Sequence, residues 1–307
     1  MKKIVFILFL ATAGLGASAQ QEIMLSQYMF NGLLLNPAYT GTHPYFTANV
    51  LHRSQWVQFD KAPSTQIVSF DGPVANDRLG VGLLISNDAI GITNQLEIGG
   101  NVSYKLKLGN GKLSFGLRAA VSNYSATLSE VSLAQDNTPD PVYAQADIRG
   151  QFIPKFGFGM YYYREKFYAG LSVPTIYAAE DKILVGTNPE YFTQHFYFNT
   201  GVVWSVAPML DVKPSVLVKY VQNAPVEVDV NCNLLFAKKF WLGAGYRTGD
   251  ALVGMLEYNI TPQLRIGYAY DYSLTAMRDY ANGSHEIMIA LDLGRVSEIK
   301  TRSPRYF

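Results

Sequence analysis

From about residue 45 to residue 293 the chain alternates apolar and polar side chains with a period of two. Val226, Val228, Val230, Cys232, Leu234 and Phe236 are apolar, and Glu227, Asp229, Asn231 and Asn233 stand between them. Successive side chains of a strand point to opposite faces, so this stretch has one greasy and one wet face. The same division sets Leu96, Ile98, Val102, Tyr104, Leu106 and Leu108 against Glu97, Asn101, Ser103, Lys105 and Lys107. It recurs in Leu113 to Val121, Leu264 to Tyr272 and Ile287 to Leu293, while 151–164 carries aromatics on both faces.

The pattern predicts fourteen strands, at 45–54, 65–72, 78–88, 95–107, 112–126, 151–164, 166–174, 194–205, 211–222, 226–236, 239–248, 251–259, 263–273 and 284–293. Gly109-Asn110-Gly111, Arg164-Glu165-Lys166, Ala237-Lys238 and Thr261-Pro262 read as tight turns. Longer connections near 53–64, 127–150, 174–193 and 274–283 fall between them, although those near 223–225 and 249–250 are short. A soluble sandwich uses shorter strands with the greasy face inward. A membrane barrel uses longer strands, an even count, a greasy outside and turns that are short on one rim only. Aromatics gather at strand ends (Tyr161 to Tyr163, Phe196 to Phe198, Trp204, Trp241), where a membrane interface would hold them. The expected fold is therefore all-β, a transmembrane antiparallel up-and-down barrel of about fourteen strands spanning 45–294. Tight turns on the periplasmic rim would place both barrel ends there.

The residues ahead of the barrel support this. Lys2 and Lys3, the apolar run Ile4 to Ala13 and Ala17-Ser18-Ala19 have the form of a secretory signal peptide over 1–19. No Cys follows Ala19, which argues against a lipoprotein, and the apolar run is shorter than the roughly 20 residues that span a bilayer. Of the 307 residues only 16% are charged, and the formal net charge is +1, so a nucleic-acid partner is not expected. The lone Cys232 excludes an intramolecular disulfide and would face lipid as a small hydrophobe.

Two segments do not alternate. In 20–44, Ser26 can cap a short helix running from Phe30 to Leu35, which Asn36-Pro37 would stop. Met24, Leu25, Met29, Phe30 and Leu33 to Leu35 are too apolar for water, so the segment is expected to enter from the periplasm and plug the lumen. A leader pairing with the rim is the alternative. The tail 295–307 carries Arg295, Lys300, Arg302 and Arg305 against Glu298. It would dock on a periplasmic partner, return into the lumen, or remain solvated.

Catalytic chemistry is not expected. His43, His52, His195 and His285 lack metal-ligand spacing, and no nucleophile elbow or phosphate loop is present. Ser284 beside His285 is the sharpest catalytic pair, but neighbours on a strand face opposite ways. Asp136, Asp140 and Asp147 do not have EF-hand spacing, and a solvated loop is the simpler reading than calcium binding. No metal and no cofactor is expected. The lumen should carry both signs: Lys105, Lys107, Arg118, Lys213, Lys219, Arg247 and Arg265 against Glu97, Glu227, Asp229, Glu257, Asp271, Glu286 and Asp292. Paired, such charges suit a lumen filled with protein rather than an ion-selective pore.

The block Ser26-Gln27-Tyr28-Met29-Phe30-Asn31, then Asn36-Pro37-Ala38-Tyr39-x-Gly41, is followed by Arg53-Ser54-Gln55-Trp56, Pro63-Ser64-Thr65 and Gly80-Val81-Gly82. That order resembles the PorP/SprF family of the Bacteroidetes type IX secretion system, over the whole mature chain to Pro304-Arg305-Tyr306-Phe307. The resemblance implies a non-enzymatic outer-membrane barrel serving secretion or surface attachment of proteins with a type B C-terminal domain, in some members gliding adhesins. It also implies a periplasmic, peptidoglycan-binding partner. Ser26, Gln27, Tyr28, Asn31, Asn36, Pro37, Tyr39, Gly41, Arg53, Gln55, Trp56, Arg305, Tyr306 and Phe307 are its candidate plug or partner-binding residues. The competing expectation is a hydrophobic-solute channel, since fatty-acid transporters also combine fourteen strands, an N-terminal hatch and an early N-P-A element.

Overall fold

The wall begins with β1 (Phe46–Ser54), β2 (Ser64–Val74), β3 (Leu79–Ile90), β4 (Thr93–Leu108), β5 (Gly111–Ala126), β6 (Ile148–Arg164) and β7 (Phe167–Ala178). In this computed structural model, β8 (Lys182–Val185) and β9 (Asn188–Tyr191) then form a separate hairpin. The wall resumes with β10 (His195–Val202), β11 (Trp204–Ala207), β12 (Leu210–Val221), β13 (Glu227–Phe236) and β14 (Phe240–Arg247). It ends with β15 (Ala251–Asn259), β16 (Leu264–Ser273) and β17 (Ser284–Leu293). The structure describes residues 23–75, 77–130, 147–178, 182–185, 188–191 and 193–294. Residues 1–19, expected as a signal peptide, and Asp136, Asp140, Arg305, Tyr306 and Phe307 lie outside them.

Each wall strand pairs antiparallel with its sequence neighbour, β10 pairs with both β7 and β12, and β17 pairs with β1. The sheet is therefore a closed ring of fourteen staves, with β11 pairing to β12 alone. Closure leaves none of the fourteen ring strands at a sheet edge, which is what lets a sheet sit in hydrocarbon. β11 prolongs the line of β10: Gly201 faces Ser215 and Trp204 faces Val212 in one register. The interruption is at Val203, whose N–H donates instead to the Lys166 carbonyl at 2.9 Å.

The alternation sorts as the sequence predicts, apolar outward and polar inward. Val230, Phe236 and Cys232 are exposed on the outer face of β13, while Asp229, Asn231 and Asn233 are buried inside. Lys107 departs from the expected set: it lies near the end of β4 and is exposed, and Glu227 is only half-buried at the start of β13. Both sit where strands leave the wall, so the inward position no longer implies enclosure.

One rim holds the tight turns at 75–78, 109–110, 165–166, 208–209, 237–239 and 260–263, and β1 starts from it. The strand ends at Ser54, Ala126, Ala178, Val221, Arg247 and Ser273 lie on the opposite rim, the loop rim, with the connections 55–63, 222–226, 248–250 and 274–283. Two features of this loop rim differ from the expected boundaries. β3 and β4 run on to a two-residue turn, Gly91-Ile92, with Gly91 at φ +59°, and the connection after β7 contains the β8–β9 hairpin. The residues beyond the expected ends, Ala89 and Ile90 of β3 and Thr93 and Asn94 of β4, pair with each other in register.

Candidate functional site

The barrel's interior is organised around the chain's own N-terminal segment. Residues 25–43 are buried, and their partners are inward-facing side chains of the wall. Two short 3-10 turns, Tyr28–Phe30 and Pro37–Tyr39, replace the expected helix from Phe30 to Leu35. Ser26 does not cap either of them. The reason is competition: wall side chains satisfy the backbone groups that a helix would have satisfied itself.

At the loop rim, the Glu286 carboxylate accepts the backbone N–H groups of Ser26 and Gln27, both at 2.9 Å. Ser26 Oγ donates to Asp271 at 2.6 Å. Arg53 forks across the two acids, 2.7 Å from Asp271 and 3.2 Å from Glu286. Arg247 closes the group, 3.4 Å from Asp271, 3.1 Å from Asp229 and 3.1 Å from Asp250. These residues come from β1, β13, β14, β16, β17 and the β14–β15 turn, so one network ties five of the fourteen wall strands to two residues of the segment.

Further along, Tyr28 Oη accepts from Asn231 Nδ2 at 2.8 Å and Asn31 donates to Ser69 Oγ at 3.1 Å. Lys213 is fully buried, with its ammonium 5.3 Å from the Phe30 ring, 5.8 Å from Tyr168 and 5.9 Å from Trp241. It also donates to the Met29 carbonyl at 3.3 Å, so three ring faces and a carbonyl stand in for water. On the far wall Glu97 binds Arg118, Lys155 at 2.8 Å and Ser122 at 2.8 Å. Ser172 Oγ donates to the Leu35 carbonyl at 2.6 Å.

The block 36–41 has a local explanation. Asn36 Oδ1 accepts from Ala38 N at 2.9 Å, and Pro37 takes the first helical position, where its missing N–H costs nothing. The Asn36 amide donates outward to the Met160 carbonyl at 3.0 Å. Gly116 lies under this turn, and a Cβ there would fall 2.2 Å from Ala38 N. Gly41 has φ +64°, and its Cβ would meet the Gly72 carbonyl at 2.7 Å, so it must be glycine on both counts. Gly41 N donates to Asp71 at 2.7 Å, its carbonyl accepts from Lys105, and Ser103 Oγ donates to the Thr40 carbonyl at 2.7 Å. At Gly80 and Gly116 the wall thus leaves room for the segment's backbone.

Tyr39 Oη and His43 Nε2 are 2.8 Å apart, and His43 stacks on Tyr45 with ring centres 5.5 Å apart.

Among the sequence candidates, Ser26, Gln27, Tyr28, Asn31, Asn36, Pro37, Tyr39, Gly41 and Arg53 meet inside the barrel. Gln55 and Trp56 stand instead at the loop rim, where Trp56 N donates to Ser284 Oγ at 3.2 Å. Ser284 faces inward, whereas His285 faces outward and lies 2.6 Å from Tyr268 Oη, so the two share no site. Asp147 accepts from Ser129 N at 3.1 Å and lies 3.5 Å from Arg149. Asp271, Glu286 and Lys213 were legible as luminal charges, but nothing in their spacing tied them to Ser26, Gln27 or Met29. Asp71 and Lys155 were missed. Their signal was present, since both take polar positions on an inward face.

Space remains on either side of the segment. A cavity of about 110 Å³ lies between Leu34, Leu35 and the Glu97, Arg118 and Lys155 group. A vestibule of about 440 Å³ opens at the loop rim between Ile23, Met24, Trp56, Arg247, Asp250 and Met277.

The chain is similar to several solved barrels. The Acinetobacter baumannii outer membrane protein Omp33 is 10% identical over 82% of this chain and 99% of its own, with a TM-score of 0.45. The KdgM porin is 10% identical over 81% and 99%, with a TM-score of 0.38. The CymD monoaromatic hydrocarbon channel is 11% identical over 92% and 95%, with a TM-score of 0.45. Likeness this distant bears on neither substrate nor mechanism. No curated protein matches the chain. The family model for the type IX secretion system membrane protein PorP/SprF, by contrast, matches residues 17–291. A closed barrel with a greasy outer face and that match, covering the segment and nearly all of the wall, lead to one conclusion: this chain belongs to the PorP/SprF family and is an outer-membrane β-barrel.

Proposed function

We propose that the protein is a closed, non-enzymatic receptor and anchor of the type IX secretion machinery. Its N-terminal segment plugs the lumen, and its loop rim receives secreted proteins bearing a type B C-terminal domain. Its turn rim faces the periplasm and, with the tail, grips a peptidoglycan-linked partner. Surrounding outer-membrane lipids contact the apolar outer face. Residues 1–19 are removed as a signal peptide.

One observation carries this reading: charged and hydroxyl groups of the lumen are spent on the protein's own chain. Glu286, Lys213, Ser172, Ser103 and Lys105 each bind a backbone atom of the segment. A transport path would leave such groups facing water or solute. A fatty-acid-type channel would also want a continuous greasy pocket, whereas both spaces beside the segment set charged groups among their apolar lining: Glu97, Arg118 and Lys155 in one, Arg247 and Asp250 in the other.

The test is a pull-down of tagged protein from native outer membranes, with mass spectrometry of the proteins that stay bound. A large secreted protein and a periplasmic wall-binding protein should co-purify. Deleting loops 127–150 and 174–193 should release the secreted protein and leave the periplasmic one. A barrel recovered with lipid alone would overturn the reading.

A further inference from the structure

The segment has a direction. Ser26 and Gln27 are held by Arg53, Asp271 and Glu286, which lie at or near the loop-rim ends of β1, β16 and β17. Ahead of them, Ile23 and Met24 line the vestibule with Trp56, Thr248, Asp250 and Met277, all from loop-rim connections. Lys105, Asp71 and Gly80, which hold Thr40 and Gly41, lie at the turn-rim ends of β4, β2 and β3. Between Ile23 and Phe46 the chain has therefore crossed the whole barrel, from the loop rim down to the turn rim.

We infer that Ile23 and Met24 stand on the opposite side of the membrane from the start of β1, at the floor of the loop-rim vestibule. The segment expected to enter from the periplasm instead runs through the lumen, from one rim to the other. A periplasmic partner cannot reach residues 23–31 and must use the turns and the tail. The names of the two sides rest on the proposed orientation, with the turn rim in the periplasm; the opposition between Ile23 and β1 does not.

The physics favours the threaded path. Two backbone N–H groups at the deep end of the vestibule need acceptors away from water, and the Glu286 carboxylate supplies both. A return towards the turn rim would need a second pass of chain beside the first. The wall already lies so close that a Cβ at Gly267 would fall 2.2 Å from Gln27 Oε1.

Cysteine accessibility decides the matter in the full-length protein, with lipid-facing Cys232 changed to Ser as background. Single Ile23→Cys, Asp279→Cys and Asn110→Cys proteins are treated on intact cells, and again after permeabilisation, with a small membrane-impermeant thiosulfonate. Asp279 is exposed in the β16–β17 loop and Asn110 in the β4–β5 turn. Ile23→Cys and Asp279→Cys should react on intact cells, and Asn110→Cys only after permeabilisation. Ile23→Cys reacting together with Asn110→Cys, or only after denaturation, would overturn the inference. If Asp279→Cys is protected while Asn110→Cys reacts on intact cells, the orientation fails, and the inference then stands only if Ile23→Cys is protected as well. A Met24→Cys protein repeats the reading should Ile23→Cys not reach the membrane.

Discussion

Deleting residues 24–39 should turn a closed barrel into a steady conducting pore. Eight strands enclose only enough space for their own side chains, and sixteen to eighteen leave an aqueous channel. A ring of fourteen lies between, closer to the second, so its width must be filled by something other than the wall. Here the filling includes Leu25, Tyr28, Met29, Phe30, Leu34 and Leu35, packed on Leu51, Leu235, Trp241 and Met255 from the wall. Removing it exposes Lys213, Asp271, Glu286 and Asp71 to the lumen, which polar groups of both signs then hydrate. Planar-bilayer recordings should show no steady current through the intact protein and sustained current through the shortened one. Resistance to detergent unfolding on unheated gels shows whether the shortened barrel has folded. A folded, shortened barrel that stays closed would overturn the plug, and so would an intact protein that conducts.

The wall was legible in the sequence because a two-residue period is a local property. Val226 to Phe236 states its two faces without reference to any other strand, and the observed β13 begins one residue later. The segment was legible only as too apolar for water. Its shape depends on partners up to 260 residues away, such as Glu286 for Ser26, and no local pattern encodes that. This is why a Ser ahead of a short apolar run reads as a capped helix. Against a wall rich in carboxylates and ammonium groups, the same residues give up helical hydrogen bonds for charged ones. Asn36-Pro37 reads as a stop and is in fact a start, because Asn36 caps the 3-10 turn Pro37–Tyr39. The inward glycines could be counted but not assigned. That Gly116 and Gly80 make room for Ala38 and Thr40 is visible only once the segment is inside.

Arg53→Ala should release the loop-rim end of the segment while leaving the barrel closed on itself. Arg53, Asp271 and Glu286 are all nearly or fully buried, and Arg53 lies between the two acids. Removing one member of such a group leaves charge buried without its partner and typically costs about 3–5 kcal/mol. Arg247 still reaches Asp271 at 3.4 Å, but Glu286 keeps no cation within salt-bridge distance among the described residues. The Ser26 and Gln27 N–H groups sit on that same Glu286 carboxylate, so the cost falls on the segment first. The ladder between β1 and β17 is built from backbone and does not use the guanidinium. Hydrogen exchange at the Ser26 and Gln27 amides should accelerate by roughly two to three orders of magnitude, with little change in mid-strand amides of β1 and β17. Arg53→Lys should recover part of the protection, since a single ammonium cannot fork across two carboxylates. Glu286→Gln in the Arg53→Ala background should cost less than the two changes added, because the second removes the charge that the first left unpaired. Unchanged exchange at Ser26 in Arg53→Ala would mean that the backbone contacts hold the segment without the ion pairs.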